Sequence, residues 1–249
     1  MTDAIVLLHG SATGSSSWSP IADSLRSSGA SVFAPDMLGY GGSPAPTSSW
    51  EIGEEVAHLA RLLDLETIDT FHLVTHSLGA FFGLHLRRAL GARVTRMTLV
   101  DPVLVSVLRE HHQDVAYAEM EGQYQRFTSL SADHEAAAHF FVDHWSGVGV
   151  WDAMGKRGRA MVASLVPKLR MEMTATRSDT ATLAWLTESP PATDILVGER
   201  TLVAPRAVAS LLAPALAAKT IVVSGASHMI PITHPQAIVA AVRRDSERT

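Results

Sequence analysis

Short apolar runs of strand length alternate with longer segments of helical spacing along most of the chain. An unbroken apolar run is typical of a strand buried on both faces, whereas apolar residues three and four positions apart indicate a helix with one buried face. The predicted strands are residues 4–8, 31–34, 71–74, 95–100, 194–197 and 220–223, and the predicted helices are residues 21–26, 52–65, 78–90, 207–216 and 236–242. This alternation predicts an α/β fold with a mainly parallel sheet covered by helices on both sides.

The alternation is interrupted once, between residues 103 and 190, where helical spacing with many aromatic and His residues replaces the strand-like runs. We therefore predict a core formed by residues 1–102 and 191–249, with a helical insertion at 103–190 that follows the strand at 95–100. We expect a single core domain, because 249 residues with 47% hydrophobic content can bury a large apolar interior.

Bulk composition argues against several classes of function. A net charge of −5 provides no electrostatic footprint for nucleic acid or an anionic membrane, and the absence of Cys excludes thiolate nucleophiles and sulfur-ligated metals. His134 and His139 are five positions apart, which places them on different faces of a helix and argues against a zinc site. With no signal sequence or membrane-spanning run in view, we expect a cytoplasmic monomer or homodimer that uses a small-molecule substrate and no metal or cofactor.

One predicted strand runs directly into a predicted helix at Ser77. The surrounding stretch has the form T-x-S-x-G, with Thr75 and Gly79 two positions on either side of Ser77. In a nucleophile elbow the serine occupies a strained turn, and small residues at these positions let the strand and the helix approach closely. Ser is also a common helix N-cap, so the motif alone leaves both interpretations open.

Three further stretches occur in the order typical of the α/β-hydrolase superfamily. His9-Gly10-Ser11 follows the first strand, residues 36–43 have the form D-x-x-G-x-G-x-S, and Gly225-Ala226-Ser227-His228 follows the last strand. Together with the Ser77 motif, these stretches resemble that superfamily. The resemblance implies an α/β-hydrolase fold of about six strands, because the usual leading strand pair is missing, and it makes the insertion a helical cap.

The resemblance also implies roles for individual residues. Ser77 is the expected nucleophile and His228 the expected base, for which the near-neutral pKa of imidazole is suited. The backbone N–H groups of Ser11 and Leu78 are the expected oxyanion hole. His234 is a rival base, although its position just before the final helix favours a structural role.

The acid of the triad is the open question. Many members of the superfamily carry an Asp in a G-E-x-D pattern after the penultimate strand, but this chain has Gly198-Glu199-Arg200-Thr201 there. Some members, notably certain haloalkane dehalogenases, place the acid at the end of the strand that follows the nucleophile helix, where this chain has Asp101. We take Asp101 as the acid and Glu199 as the alternative.

By this resemblance the chain is a serine hydrolase, similar to carboxylesterases, that cleaves a small, largely apolar ester or related acyl compound through an acyl-enzyme. The alternatives are a carbon–carbon bond hydrolase acting on a diketone-type metabolite and a non-catalytic ligand-binding member of the fold. The residues expected to contact substrate are His9, Gly10, His76, Phe141, Trp145 and Met229. The basic run at residues 156–159, together with Lys168 and Arg170, is interpreted as a solvated helix face rather than as a site for an acidic substrate group.

Overall fold

The computed structural model of the protein describes residues 3–246. Its strands are β1 (Ala4–Leu8), β2 (Val32–Phe33), β3 (Phe71–His76), β4 (Val94–Val100), β5 (Ala192–Gly198) and β6 (Lys219–Val223). They form one six-stranded sheet in the order β2-β1-β3-β4-β5-β6, and every neighbouring pair is parallel. The predicted fold class and sheet are therefore confirmed.

The strands differ in how deeply they are buried. All residues of β3 are buried, as the unbroken apolar run predicts. The same prediction is wrong for β2 and β6, which lie at the two edges of the sheet. Both residues of β2 are only half-buried, and Val222 on β6 is 61% exposed. An edge strand has one neighbour instead of two, and the helices cover it incompletely.

Helices cover both faces of the sheet. They are α1 (Ser19–Arg26), α2 (Ile52–Leu65), α3 (Leu78–Leu90), α4 (Val105–Glu110), α5 (Asp114–Leu130), α6 (His134–Ser146), α7 (Val150–Ala153), α8 (Lys156–Ser164), α9 (Val166–Ser178), α10 (Leu183–Leu186), α11 (Val203–Ala215), α12 (Ile230–Thr233) and α13 (Pro235–Ser246). Apolar residues of α1 and α13 pack on one face, and those of α2, α3 and α11 pack on the other. Among residues 3–246, no helix combines the length and apolar character that crossing a bilayer requires.

The insertion contains α4 to α10 and no strand. Its aromatic residues Phe127, Phe141 and Trp145 belong to the same continuous apolar cluster as Phe81 and Leu84 of the core. The insertion therefore rests on the core through a shared interior at the carboxyl ends of the strands, where Ser77 and Asp101 lie.

Candidate active site

Ser77 lies at the junction between β3 and α3, in an unusual backbone conformation. Its φ is 55° and its ψ is −122°, a region in which a residue with a side chain is strained. Ser77 occupies the N-cap position of α3, but its side chain makes no capping hydrogen bond. Its hydroxyl instead meets the Nε2 atom of His228. Of the two interpretations that the motif left open, the geometry of an elbow is the one observed.

Close packing around the elbow explains why the motif tolerates Thr75. A Cβ atom on Gly79 would lie 2.5 Å from the carbonyl oxygen of Leu8, so only glycine allows α3 to approach β1 this closely. Thr75 stands where glycine is usual, and its Cγ2 lies 2.7 Å from where a Cβ on Gly83 would be. The space that Thr75 takes is therefore provided by a glycine one helical turn beyond Gly79.

Three side chains from distant parts of the chain form one hydrogen-bonded row. The Oγ atom of Ser77 lies 2.9 Å from Nε2 of His228, and Nδ1 of His228 lies 2.8 Å from Oδ2 of Asp101. A carboxylate only accepts, so Nδ1 carries the imidazole proton and Nε2 is free to accept the hydroxyl proton of Ser77. The row is buried, since Asp101 is 0% and His228 2% exposed.

Three donors fix the carboxylate of Asp101. Besides His228, Oδ1 accepts the backbone N–H of Gly198 at 3.0 Å, and Oδ2 accepts the hydroxyl of Thr201. Asp101 directly follows β4 and has a φ of 47°, which Asp tolerates better than most residues. Thr201, which occupies the position where an acid was expected, therefore holds the carboxylate that comes from the neighbouring strand.

The rival residues lie elsewhere. Glu199 is exposed and accepts the backbone N–H of Gly225 at 2.7 Å and the hydroxyl of Ser224 at 3.1 Å, and these hydrogen bonds lower its pKa. It therefore supports the loop that leads to His228 rather than contacting the imidazole. His234 is half-buried, and its Nδ1 pairs with the hydroxyl of Thr233 at 2.9 Å.

Two backbone amides beside Ser77 are available to a ligand. Within residues 3–246, neither the N–H of Ser11 nor that of Leu78 has a hydrogen-bond partner. Both residues line the cavity next to Ser77. Gly10 lets the loop that carries Ser11 approach Ser77, because a Cβ atom on Gly10 would lie 3.0 Å from the Cβ of Ser77. Two donors and a hydroxyl thus border the same volume.

His9 and Gly10, which were also expected to contact substrate, are not among the residues that line this cavity. His9 is fully buried, and its Nε2 accepts the backbone N–H of Met37 at 3.1 Å while Nδ1 donates to the carbonyl of Gly10 at 2.8 Å. Burial lowers its pKa to about 4, so the ring is neutral at physiological pH. His9 therefore supports the loop that carries Ser11.

The cavity above Ser77 has a volume of about 390 Å³ and is largely apolar. Four of the predicted contact residues line it, namely His76, Phe141, Trp145 and Met229. The ring centroid of Trp145 lies 4.5 Å from that of His228, so Trp145 covers the imidazole. His76 donates from Nε2 to the carbonyl of His228 at 2.9 Å, and burial lowers the pKa of His76 to about 3. Its neutral ring therefore holds the backbone of His228.

A buried ion pair near the cavity was missed in the sequence. Lys168 is 5% exposed, so the prediction that it belongs to a solvated face is wrong, although Arg170 is exposed. The Nζ atom of Lys168 lies 2.8 Å from Oε2 of Glu55 on α2 and 3.9 Å from the ring centroid of Trp50. These partners are more than a hundred positions away, so local spacing gave no signal of the burial.

Glu172 on α9 is a carboxyl group in the cavity wall that the sequence analysis also missed. It is 1% exposed and accepts the hydroxyl of Ser11 at 2.8 Å and that of Tyr40 at 2.9 Å. Burial raises its pKa to about 7. Its four-residue spacing from Lys168 is typical of a helical ion pair and was the available clue.

No set of three His, Asp or Glu side chains within the described part of the chain is arranged to hold a metal ion. His139 instead pairs with Asp143 at 3.4 Å and stacks on Trp151.

Comparisons with known proteins agree with this architecture. The model of the Alpha/beta hydrolase family matches residues 5–242. A probable lysophospholipase of Arabidopsis thaliana, BODYGUARD 3, is 32% identical over 103 residues, which are 39% of this chain and 21% of that protein. The chain thus matches only about a fifth of this relative's length.

Two solved structures illustrate the similarity in fold. A thermophilic esterase from Thermogutta terrifontis superposes with a TM-score of 0.76 at 16% identity, over 100% of this chain and 90% of the esterase. The 2-hydroxy-6-oxo-6-phenylhexa-2,4-dienoate hydrolase of Rhodococcus sp. strain RHA1 gives a TM-score of 0.74 at 19% identity, over 100% and 91% of the two chains. At these identities the similarity concerns the fold alone.

Proposed function

The chain belongs to the alpha/beta hydrolase family, and we propose that it is a serine hydrolase that cleaves a small, neutral, largely apolar ester. The observation that carries this proposal is the row from Ser77 through His228 to Asp101, with heavy-atom distances of 2.9 and 2.8 Å. Nucleophile, base and orienting carboxylate at these distances are what acyl transfer requires.

In the proposed reaction, Oγ of Ser77 attacks the ester carbonyl while its proton passes to Nε2 of His228. The carbonyl oxygen becomes negatively charged and accepts hydrogen bonds from the N–H groups of Ser11 and Leu78, each of which contributes about 3 kcal/mol to lowering the barrier. The tetrahedral intermediate collapses as His228 protonates the departing alcohol, which leaves an acyl-enzyme. Water, deprotonated by His228, then releases the acid and restores Ser77.

The composition of the cavity wall supports a neutral substrate. In the part of the chain that the structure describes, the wall contains no Lys or Arg, and Glu172 is its acidic residue. A substrate carboxylate would lose its hydration there without gaining a cation. This argues against an anionic dienoate, the substrate class in the name of the Rhodococcus relative. Ester cleavage is therefore preferred over carbon–carbon bond cleavage.

Covalent labelling tests the proposal. A fluorophosphonate should phosphonylate Oγ of Ser77 with loss of fluoride, and p-nitrophenyl esters of increasing acyl length should define how much of the cavity the acyl group fills. Ser77→Ala is the matched control and should abolish both labelling and turnover. Absence of labelling at Ser77 in folded wild-type protein would overturn the proposal and favour a non-catalytic ligand-binding role.

A further inference from the structure

A buried polar cluster connects the insertion to the loop that carries the Ser11 amide. Glu172 accepts the hydroxyl of Ser11 at 2.8 Å and the hydroxyl of Tyr40 at 2.9 and 3.0 Å. The Tyr40 oxygen in turn accepts the backbone N–H of Ala12 at 3.2 Å. Two consecutive loop residues are therefore tied to one carboxyl group on α9, directly through Ser11 and indirectly through Ala12.

The conformation of this loop depends on such contacts. Ala12 has a φ of 61°, in the left-handed region that a residue with a Cβ seldom adopts without support. The N–H of Ser11 precedes this turn, so a change at Ala12 would redirect it. Because the amide must meet a developing charge at hydrogen-bond distance, a small displacement would matter.

The carboxyl group itself is firmly held. Lys168, one turn earlier on α9, lies 3.8 Å from Oε1 of Glu172 and 2.8 Å from Oε2 of Glu55. Glu55 also accepts the backbone N–H of Leu38 at 2.8 Å. All three charged side chains are at most 5% exposed. An ion pair between α9 and α2 thus lies beside Glu172, and the carboxyl group of Glu172 connects the insertion to the loop.

We propose that Glu172 is a positioning residue, whose carboxyl group holds the Ser11 amide in place for the oxyanion by accepting hydrogen bonds from Ser11 and Tyr40. The inference rests on the proposed function and adds a residue to it. Glu172 takes part in no bond making or breaking. Since a ground-state carbonyl tolerates a displaced donor better than an oxyanion does, the effect should fall on kcat more than on KM.

Hydrogen-bond acceptance, rather than charge, is the property that the proposal requires. A pKa raised to about 7 by burial means that Glu172 is partly protonated at neutral pH, and both forms of a carboxyl group accept hydrogen bonds. Gln at this position keeps an accepting oxygen, whereas Ala does not. The two substitutions therefore separate positioning from charge.

Glu172→Ala should lower kcat for a p-nitrophenyl ester by roughly 10- to 100-fold, with KM within about threefold of the wild type. Glu172→Gln should recover most of that loss. The matched control is Glu121→Gln, because Glu121 also binds α9, through Arg177 at 2.7 Å, but is not tied to the loop. It should leave kcat nearly unchanged.

A second set of variants tests the hydrogen bonds through which Glu172 acts on the loop, and it remains informative if Glu172→Ala fails to fold. The Ser11→Ala/Tyr40→Phe double variant removes the tethering hydroxyls while keeping the Glu172 carboxyl group, and it should lower kcat by a similar factor. Adding Glu172→Ala to it should cause little further loss if all three act through one connection. If the losses in kcat multiply instead, Glu172 does not act through Ser11 and Tyr40, and the proposed connection is overturned.

The outcomes separate this inference from the proposed function. Absence of fluorophosphonate labelling in the wild type would remove the proposed function, and the inference with it. Labelling and turnover in the wild type, together with an unchanged kcat in Glu172→Ala, would overturn the inference alone. Equal losses in the Ala and Gln variants would also overturn it, because they would indicate a need for charge.

Discussion

The hydroxyl of Thr201 donates a hydrogen bond to Oδ2 of Asp101, the same oxygen that faces Nδ1 of His228. Asp101 and Thr201 follow β4 and β5, which are neighbours in the sheet, so either position delivers a side chain to the same point. A carboxylate at both positions would bring two like charges together in a buried site. A hydroxyl at 201 is therefore the complement of an acid at 101.

Asp101→Asn should lower kcat by roughly 10⁴-fold, because an amide facing Nδ1 no longer holds the imidazole in the tautomer that accepts the Ser77 proton. The measurement is steady-state hydrolysis of a p-nitrophenyl ester. Glu199→Gln is the control and should retain most of the activity, since Gln still accepts the N–H of Gly225. A comparable loss in Glu199→Gln with an active Asp101→Asn would reverse the assignment of the acid.

Gly83→Ala should destabilise the protein, although replacing glycine inside a helix normally adds roughly 1 kcal/mol of stability. The added methyl would lie 2.7 Å from Cγ2 of Thr75, and such overpacking costs about 1 to 3 kcal/mol. Urea unfolding measures the difference. In a Thr75→Ser background, which lacks Cγ2, Gly83→Ala should be neutral or stabilising; an equal loss in both backgrounds would contradict the proposed compensation.

Stability should fall as the pH drops below about 6.5, because the pKa values of His9 and His76 are lowered to about 4 and about 3 in the folded protein. As the pH falls, the unfolded chain binds these protons at a higher pH than the folded protein does. Each imidazole therefore lowers the free energy of unfolding by about 1.4 kcal/mol per pH unit between its unfolded and folded pKa. Glu172, with a pKa raised to about 7, acts in the opposite direction between about pH 4.5 and 7. The three groups together should lower the free energy of unfolding by about 1 kcal/mol per pH unit from pH 6.5 to 4.5.

Urea unfolding at pH 6.5 and 5.5 measures this slope. His76→Gln, which retains a donor for the carbonyl of His228, should remove most of the net dependence, whereas Glu172→Gln should steepen it. His134→Gln alters an exposed imidazole and should leave the slope unchanged. An unchanged slope in His76→Gln would contradict the assignment of the lowered pKa to burial.

Sequence patterns predicted what depends on neighbours along the chain. Apolar runs and helical spacing located every strand, and the predicted bounds of α2 and α3 agree with the structure because burial follows the period of each element. The choice of Asp101 rested instead on the resemblance to superfamily members that carry the acid at the end of this strand. The exposure of Val222 was not predictable, because the sequence of a strand does not reveal whether that strand lies at an edge of the sheet.

Contacts between segments that are distant in the sequence were not predictable from it. Lys168 belongs to a group of basic residues of the kind that usually lies on a solvated helix face, and only the tertiary structure pairs it with Glu55 on α2. Glu172 acquires its raised pKa from that same burial. Likewise, His9 was expected to touch substrate, but the fold of its loop turns the ring towards Met37. In each case the partner lies outside the local pattern.

Moving the acid between the two strands offers the sharpest test of the triad geometry. Because the Thr201 hydroxyl already contacts the carboxylate of Asp101, a carboxylate at 201 should reach Nδ1 of His228 once position 101 is neutral. We therefore expect Asp101→Asn/Thr201→Asp to be at least about tenfold more active than Asp101→Asn alone. Thr201→Asp by itself should lose stability, because two buried carboxylates then share one site. The control Asp101→Asn/Thr201→Asn should show no recovery, and a recovery as large as that of the Asp variant would mean that the rescue does not depend on restoring a carboxylate beside His228.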